Sequence, residues 1–530
     1  MKINDVFNTI RMILCVVLAL VLFSSVSWAA TYYVSNNGND SNSGTSTASP
    51  WKTISKVNSR SFSPGDRIFF ERGNQWREQL TISSSGSSSG GNVTFGAYGS
   101  GARPILNGSN AVSSFSNYAT NTWRASSSDP RALWFVRGSS IFWGDKKSSV
   151  SNLVNEYDWY YSGGYLYVYS SSDPDSRYDS IEAGVRDYCI YGSSYDYITI
   201  ENLEIRFTGY IAGGGRGGVQ IGSGGTNWLI QDCSIHHHGS ISSADANQIG
   251  NGIMVYNGSN SVFRRNDISD CGRHNIFLYA SSGITMSNVV VEFNKIFDSS
   301  HCNMDVHGSG GYNQIYIRYN RIYQTDAFPY ISNLVYLSQG NNNTHVYGNL
   351  IYNSKDDGIQ LSYAGKGPIY IYNNTFYKNK ARDIKSYVTS PAVYVRNNIF
   401  SSSGTAISLS STSNWYVDHN CYYNTSTGSI SGANSVFGNP SFRNASGLDF
   451  TLSSSSPCID AGANVGSTYV QGLLATSVWP DSVSIANQDD FGAAREIGAY
   501  IYTPDLSYLP PSDTDIAAPV SPSNIILRIQ

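Results

Sequence analysis

From about residue 197 the chain repeats a phrase in which apolar or aromatic positions alternate with polar ones and then give way to Asn, one variable residue and an apolar residue. Copies include YITIENLEI, VVVEFNKI, IYIRYNRI, IYIYNNTF and VYVRNNIF. Their closing residues are Ile205, Ile235, Ile268, Ile296, Ile322, Ile351, Phe376, Phe400 and Tyr422, at intervals of 22 to 33 residues. Alternation at a period of two is the mark of a strand with one buried face. Between the copies runs a second strand-like phrase, GIMVY, NIFLY, MDVHG, VYLSQ and DGIQL among them. Each unit thus carries at least two short strands joined by polar turns. Such a pair cannot bury its apolar face alone, whereas stacking coil on coil buries a continuous core. The intervals drift too much for a helical-repeat array and suit coils whose turns differ in length. The pattern therefore predicts a parallel β-solenoid. Asn266, Asn294, Asn320, Asn349, Asn374, Asn398 and Asn420 form one column, predicting amide side chains that bond along the axis at the strand spacing of about 4.8 Å. Leu203 and Cys233 interrupt the column in the first two copies, so the ladder should start at the third.

These repeats resemble those of right-handed parallel β-helix proteins of the pectate-lyase-like superfamily. The likeness covers most of residues 31–503. The start YYVSNNGNDSNSGTSTASPWKTISKV followed by PGDRIFF is similar to the N-terminal segment of secreted members, and SPCIDAG and DDFGAAREIGAY to their closing segments. The resemblance implies an all-β right-handed solenoid with an N-terminal capping helix. Ser49-Pro50 can start that helix, with Trp51, Ile54 and Val57 on its apolar side. Residues 111–180, containing EYDWYYSGGYLYVYSS, read as inserted hairpins because Ser-Gly-Gly between aromatic runs is a turn signal. Residues 426–503 are expected to close the solenoid, and 504–530 form a Pro- and Ser-rich tail.

Composition narrows the field. Of 530 residues 14% are charged, Lys+Arg 34 against Asp+Glu 38, for a net charge of −4. This leaves no electrostatic basis for nucleic-acid binding. Gly 50 and Tyr 39 are far from a helical composition. MILCVVLALVLF followed by SSVSWAA reads as a signal peptide over residues 1–30. The rival, an uncleaved anchor, has a short apolar run against the roughly 20 residues of a spanning helix. The expectation is a secreted, periplasmic or cell-surface protein with no membrane attachment after cleavage, acting as a monomer. Loss of Cys15 leaves Cys189, Cys233, Cys271, Cys302, Cys421 and Cys458, too sparse for a disulfide scaffold and read as mostly buried thiols, with Cys271 and Cys302 the one expected bonded pair.

Candidate chemistry follows from strand parity. On the second phrase, Ile253/Val255, Ile276/Leu278, Met304/Val306, Val335/Leu337 and Ile359/Leu361 point inward. Met254, Phe277, Asp305, Tyr336, Gln360 and Lys385 then form one outward column, and Tyr256, Tyr279, His307, Ser338, Ser362 and Tyr387 the next. RHNIFLY and HCNMDVH bring Arg273, His274, Tyr279, His301, Asp305 and His307 together on two adjacent coils. His can exchange a proton near neutral pH, Asp can orient it, Tyr can act as acid and Arg can neutralise a sugar carboxylate. That set suits proton abstraction beside a uronate carboxylate, and hence a polysaccharide lyase or uronate epimerase. His274, His301, Asp305, His307 and Tyr279 are the catalytic candidates. Arg273, Tyr336, Gln360, Lys355, Arg382 and Lys385 are the substrate-binding candidates, and Asp305 and His307 are expected to be exposed together.

Asp356 and Asp357 in SKDDGIQL offer either a Ca²⁺ site, a hydrolase acid pair or an ordinary turn. This Asp-Asp-Gly resembles polygalacturonase-like hydrolases, but Asn303-Met304-Asp305 lies two coils before it and no Gly-His-Gly follows. His236-His237-His238 reads as a solvated turn rather than a metal site. Arg264, Glu292 and Arg318 alternate as a charge ladder, and Tyr316, His345, Tyr370, Tyr394 and Tyr416 stack beside them as either a sugar platform or a Tyr-rich sheet. The partner implied is a polysaccharide, acidic in the lyase reading. The alternatives are a β-helix glycoside hydrolase and a non-catalytic polysaccharide-binding protein.

Overall fold

The computed structural model describes residues 29–209, 216–241, 249–325, 333–338, 340–362, 367–389 and 392–504. The signal-peptide segment and nearly all of the tail lie outside them. Three parallel sheets of 12, 12 and 11 strands run the length of the molecule. One coil shows the plan: Thr285–Glu292 in the first sheet, Lys295–Ser299 in the second and Cys302–Val306 in the third. Stacking follows the predicted register. Ile205 pairs with Ile235, Ile235 with Ile268, and so on to Phe400 with Tyr422. The column extends beyond the recognised copies, to Trp76 and Leu106 before it and Phe437 after it.

The inward pairs named from parity are all buried in one continuous core. Burial of each such side chain contributes about 1.5–3 kcal/mol, realised only when the next coil covers it. The Asn ladder holds from Asn266 to Asn420. Each Nδ2 donates to the next Oδ1 at 3.0–3.1 Å, and at the last rung the Asn420 backbone N–H donates to Ser435 Oγ. The residue before each ladder Asn turns the corner in the left-handed region: Arg265, Phe293, Tyr319, Gly348, Asn373, Asn397 and His419.

Three expectations need adjustment. The capping helix spans Ile54–Asn58, not a longer segment from Ser49, because Thr53 supplies the cap by accepting the Lys56 N–H. Trp51 lies before the helix and pairs its backbone with Val34, and its side chain enters the core together with Ile54 and Val57. The insertion is slightly longer than expected, with strands from Ser109–Val112 to Ser180–Gly184 in one antiparallel sheet and one mixed sheet, in which Asp145–Lys146 runs parallel to Asp158–Ser162. Its predicted hairpin turns at Gly163 and Gly164, both at positive φ. The chain resumes where it left off, with Ile198 beside Val93. Finally, the described cysteines are all free and buried, so Cys271 and Cys302 are not bonded to each other.

The C-terminal segment does not only close the end. It folds back along the corner after the first sheet. Trp479 Nε1 donates to Tyr319 O at 2.8 Å, Ala463 N to Asn397 Oδ1 at 2.8 Å, and the Tyr469 hydroxyl lies 2.6 Å from His345 Nδ1. The stack Tyr316, His345, Tyr370, Tyr394, Tyr416 exists, with ring spacings of 4.6–5.3 Å. Tyr469 covers its middle, so only the Tyr416 end faces solvent. An open sugar platform along the whole column is thereby excluded. Arg318 pairs with Glu292 at 2.7 Å as the charge ladder required, while Arg264 turns its Nε to Gln231. Among the described residues no helix is long and apolar enough to cross a membrane.

Candidate active site at the corner of the second and third sheets

The outward column of the third sheet assembles in the order read from parity: Met254 beside Phe277, then Asp305, Tyr336, Gln360 and Lys385. His274 begins the strand His274–Tyr279 and lies opposite Cys302, the first residue of the next strand in the same sheet. That pairing brings one imidazole to the rim of Asp305. His274 Nε2 is 3.3 Å from Asp305 Oδ2, and His307 Nδ1 is 3.8 Å from the same oxygen. The His274 and His301 rings meet edge to face at 5.0 Å. Arg273 lies over the Phe277 ring at 5.8 Å, and Phe277 in turn touches Tyr279 and His307. Tyr336 lies 6.1 Å from His307, and Tyr279 stacks on Tyr256.

Burial separates residues that parity had treated alike. Asp305 is 2% exposed, whereas the His307 side chain is 43% exposed, so the two are not presented together. Burial pushes the Asp305 carboxyl up, against the pull of His307. Its Oδ1 accepts no hydrogen bond, and neither ring nitrogen of His274 is in one. His274, fully buried, is held neutral: burial lowers it well below the ordinary imidazole value.

The remaining candidates are placed as follows. Gln360 accepts from Asn333 Nδ2 at 2.8 Å and donates to Ser362, and Lys385 reaches Ser408 and lies over Tyr387. Arg382 pairs with Asp357 at 2.5 Å and with Asp356 at 3.4 Å. The Arg382 guanidinium therefore supplies the positive charge beside both carboxylates. Asp357 is buried, and burial raises it despite Arg382. The His236–His238 run is not a solvated turn: it belongs to the strand Ser234–His238. His238 is buried, with Nδ1 2.9 Å from Thr208 Oγ1 and Nε2 3.1 Å from Ile205 O, and burial lowers it to about 3. His237 stacks under Trp143 of the insertion.

The structure adds two residues that sequence reasoning missed. Asp270 and Asp298 occupy the same place on consecutive coils, each two residues after the closing isoleucine of its copy and each in the left-handed conformation. That repetition was the available signal. Asp270 is pushed up to about 6, first by burial and further by the neighbouring Asp298 charge. Asp298 is also raised by burial, although its Oδ1 accepts the Thr325 N–H at 2.8 Å and its Oδ2 the Thr325 hydroxyl at 2.6 Å. Lys355 contributes a favourable charge to it. Asp298 and Asp305 thus stand seven residues apart on one coil, either side of the corner that His301 occupies. Buried carboxyls with raised values and a neutral imidazole can hold and exchange protons, and the aromatic rings beside them offer apolar faces.

Comparison with known proteins agrees with the architecture. The family model described as "right handed beta helix region" matches residues 167–349 and 287–422. XylC, solved in complex with xylose, superposes with a TM-score of 0.57 at 16% identity over 78% of this chain and 87% of that one. The pectate lyase Pel9A gives 0.50 at 15% identity over 91% and 98%. At such identities the likeness is one of fold. A lacto-N-biosidase from Bifidobacterium longum subsp. longum is 38% identical over 80 residues, which is 14% of this chain and 5% of that protein's length.

Proposed function

Because the chain is a right-handed parallel β-helix, whose stacked coils present long columns of side chains, we propose that it is an exported enzyme that lays a polysaccharide across the corner of its second and third sheets and hydrolyses a glycosidic bond there. The observation that carries this reading is the contrast between two buried carboxyls on one coil. Burial raises Asp298, but Thr325 donates to it twice and pulls it back toward its ionised form. Asp305 Oδ1 has no donor, and burial favours its protonated form. Both carboxyls are raised by burial, and the two Thr325 donors favour ionisation of Asp298 relative to Asp305, which suits Asp305 as the acid and Asp298 as the base or nucleophile of glycoside hydrolysis. Asp305 gives its proton to the departing oxygen, and Asp298 attacks the anomeric carbon or activates water. Tyr279, Tyr336 and Gln360 offer a face and hydrogen bonds to sugar rings. The likeness to a lacto-N-biosidase supports a glycosidase.

A second reading, elimination or epimerisation at a uronate, is favoured by Arg273 and His307 beside Asp305. Arg273 would hold the sugar carboxylate and His307 take the proton. It ranks second because Arg382, expected to hold an acidic substrate, is engaged by Asp357 and Asp356. The test is incubation with neutral glucans, lacto-N-biosides, alginate, pectate and glycosaminoglycans, following reducing ends and unsaturated uronates. New reducing ends without unsaturation, lost by about 10²-fold or more in Asp305→Asn and Asp298→Asn, are expected. Unsaturated products would select the second reading. Retained binding with no product at all would make the protein a polysaccharide-binding module.

A further inference from the structure

The corner next to Asp305 holds a second constellation that the cleavage chemistry does not use. His274, His301 and Cys302 each offer a ligand atom, and these atoms all lie within 4.8 Å of one another. Cys302 Sγ and His301 Nδ1 are already 3.2 Å apart. A tetrahedral ion with Zn–N of about 2.0–2.1 Å and Zn–S of about 2.3 Å holds neighbouring ligands about 3.3–3.6 Å apart. Closing the set therefore takes an approach of at most about 1.5 Å between any two of these atoms. A second observation points to a ligand independently of this spacing: His274 is fully buried, neither ring nitrogen makes a hydrogen bond, and Nε2 meets the Asp305 carboxyl at 3.3 Å outside hydrogen-bond geometry. Buried polar groups are ordinarily satisfied, so an orphaned imidazole facing a thiol and a second imidazole has the form of a site awaiting its ion.

We propose that His274, His301 and Cys302 bind a zinc ion with a fourth position open to solvent or substrate. The donor set of two imidazoles and one thiolate suits Zn²⁺, and three protein ligands with one open position is the arrangement of a reactive rather than a sealed zinc site. His301 is exposed and gives the ion its entrance. With Nδ1 of His274 on the ion, the Asp305 Oδ2, 3.3 Å from His274 Nε2, is placed to accept the Nε2 proton as outer support. Cys302, a buried thiol in the apo protein, gives up its proton as the Zn–S bond forms, so each ion bound releases one proton. The Cys302 thiol is thereby explained without a disulfide. The hydrolytic reading does not depend on this site, and the site is tested without any substrate.

The experiment loads the purified protein with Co²⁺ as a spectroscopic probe and then titrates with Zn²⁺. One equivalent of Co²⁺ should bind with a thiolate-to-cobalt charge-transfer band in the near ultraviolet, and Zn²⁺ should displace it. Cys302→Ser should abolish that band, and His301→Ala, on the exposed rim where folding is not at stake, should weaken Zn²⁺ binding by about 100-fold or more. Asp305→Asn should keep the band and weaken binding about 10-fold or more. Cys421→Ser, at a buried thiol in a distant part of the fold, should bind as the unaltered protein does. Absence of stoichiometric Co²⁺ binding, or a thiolate band that survives Cys302→Ser, overturns the proposal.

Discussion

Replacing Asn320 by Ala tests the physical basis of the solenoid at its centre. Asn320 is fully buried, and its side chain makes five hydrogen bonds. Nδ2 donates to Val291 O at 2.8 Å, Arg318 O at 2.9 Å and Asn349 Oδ1 at 3.1 Å. Oδ1 accepts the Asn294 backbone N–H and the Asn294 Nδ2, both at 3.0 Å. Truncation takes this partner from the Asn294 N–H, the Asn294 amide, the Val291 and Arg318 carbonyls and Asn349 Oδ1, of which Asn349 Oδ1 still accepts the Asn320 N–H. Orphaning a buried polar group costs about 1–3 kcal/mol. With the affected groups partly relaxing, the loss should be about 3–5 kcal/mol. Guanidinium denaturation reads the total. Hydrogen exchange reads the local effect, because the Asn294 amide should lose protection while amides several coils away keep theirs. A loss below about 1 kcal/mol, or unchanged protection at Asn294, would show that stacked strands hold the coils without the ladder.

Other expectations follow from buried charges and from the cap. Asp383 is fully buried and raised to about 8, so between roughly pH 4, where an unfolded Asp titrates, and pH 8 the folded chain holds a proton that the unfolded one does not. Stability therefore falls as pH rises through that window, and Asp383→Asn should gain on the unaltered protein between pH 5 and 9 in parallel denaturations. Arg318→Ala strands the buried Glu292 carboxylate and should cost about 3–5 kcal/mol by thermal or chemical unfolding. Trp479→Ala removes a buried indole and its bond to Tyr319 O, and should cost about 3–5 kcal/mol of cap docking. Limited proteolysis should then cut within residues 440–503 before the coils. For catalysis, a protonated Asp305 predicts that kcat/KM falls as pH rises through its raised value. That alkaline limb should vanish with a leaving group that needs no proton.

Much of the architecture is written in local order. Alternation and the recurring Asn placed Ile268, Ile296 and Ile322 in one column and Asn266 to Asn420 in one ladder, because strand parity has a period of two and stacking repeats it coil after coil. The same parity put Asp305, Tyr336 and Gln360 side by side. It also contained Asp270 and Asp298 as a repeated position in the strands Asp267–Cys271 and Lys295–Ser299, which went unread because it falls after the apolar residue that closes each repeated phrase.

Burial and partnership were decided elsewhere. Whether an outward side chain meets water depends on what lies across it, and those neighbours come from other coils or from distant chain. Asp305 is buried while His307, two residues on, is half exposed. Tyr469, brought from over a hundred residues away in sequence, covers His345. Arg382, one coil on, occupies the pair Asp356 and Asp357. Cys302 faces His301 instead of Cys271 because the start of its strand is set by the corner after Ser299. The sequence alone determined the coil and its column order, since both depend on spacing along the chain. Only the tertiary structure decided which of those columns is dry, which charges are already paired and which carboxyl keeps its proton, because desolvation is a property of everything packed around a group.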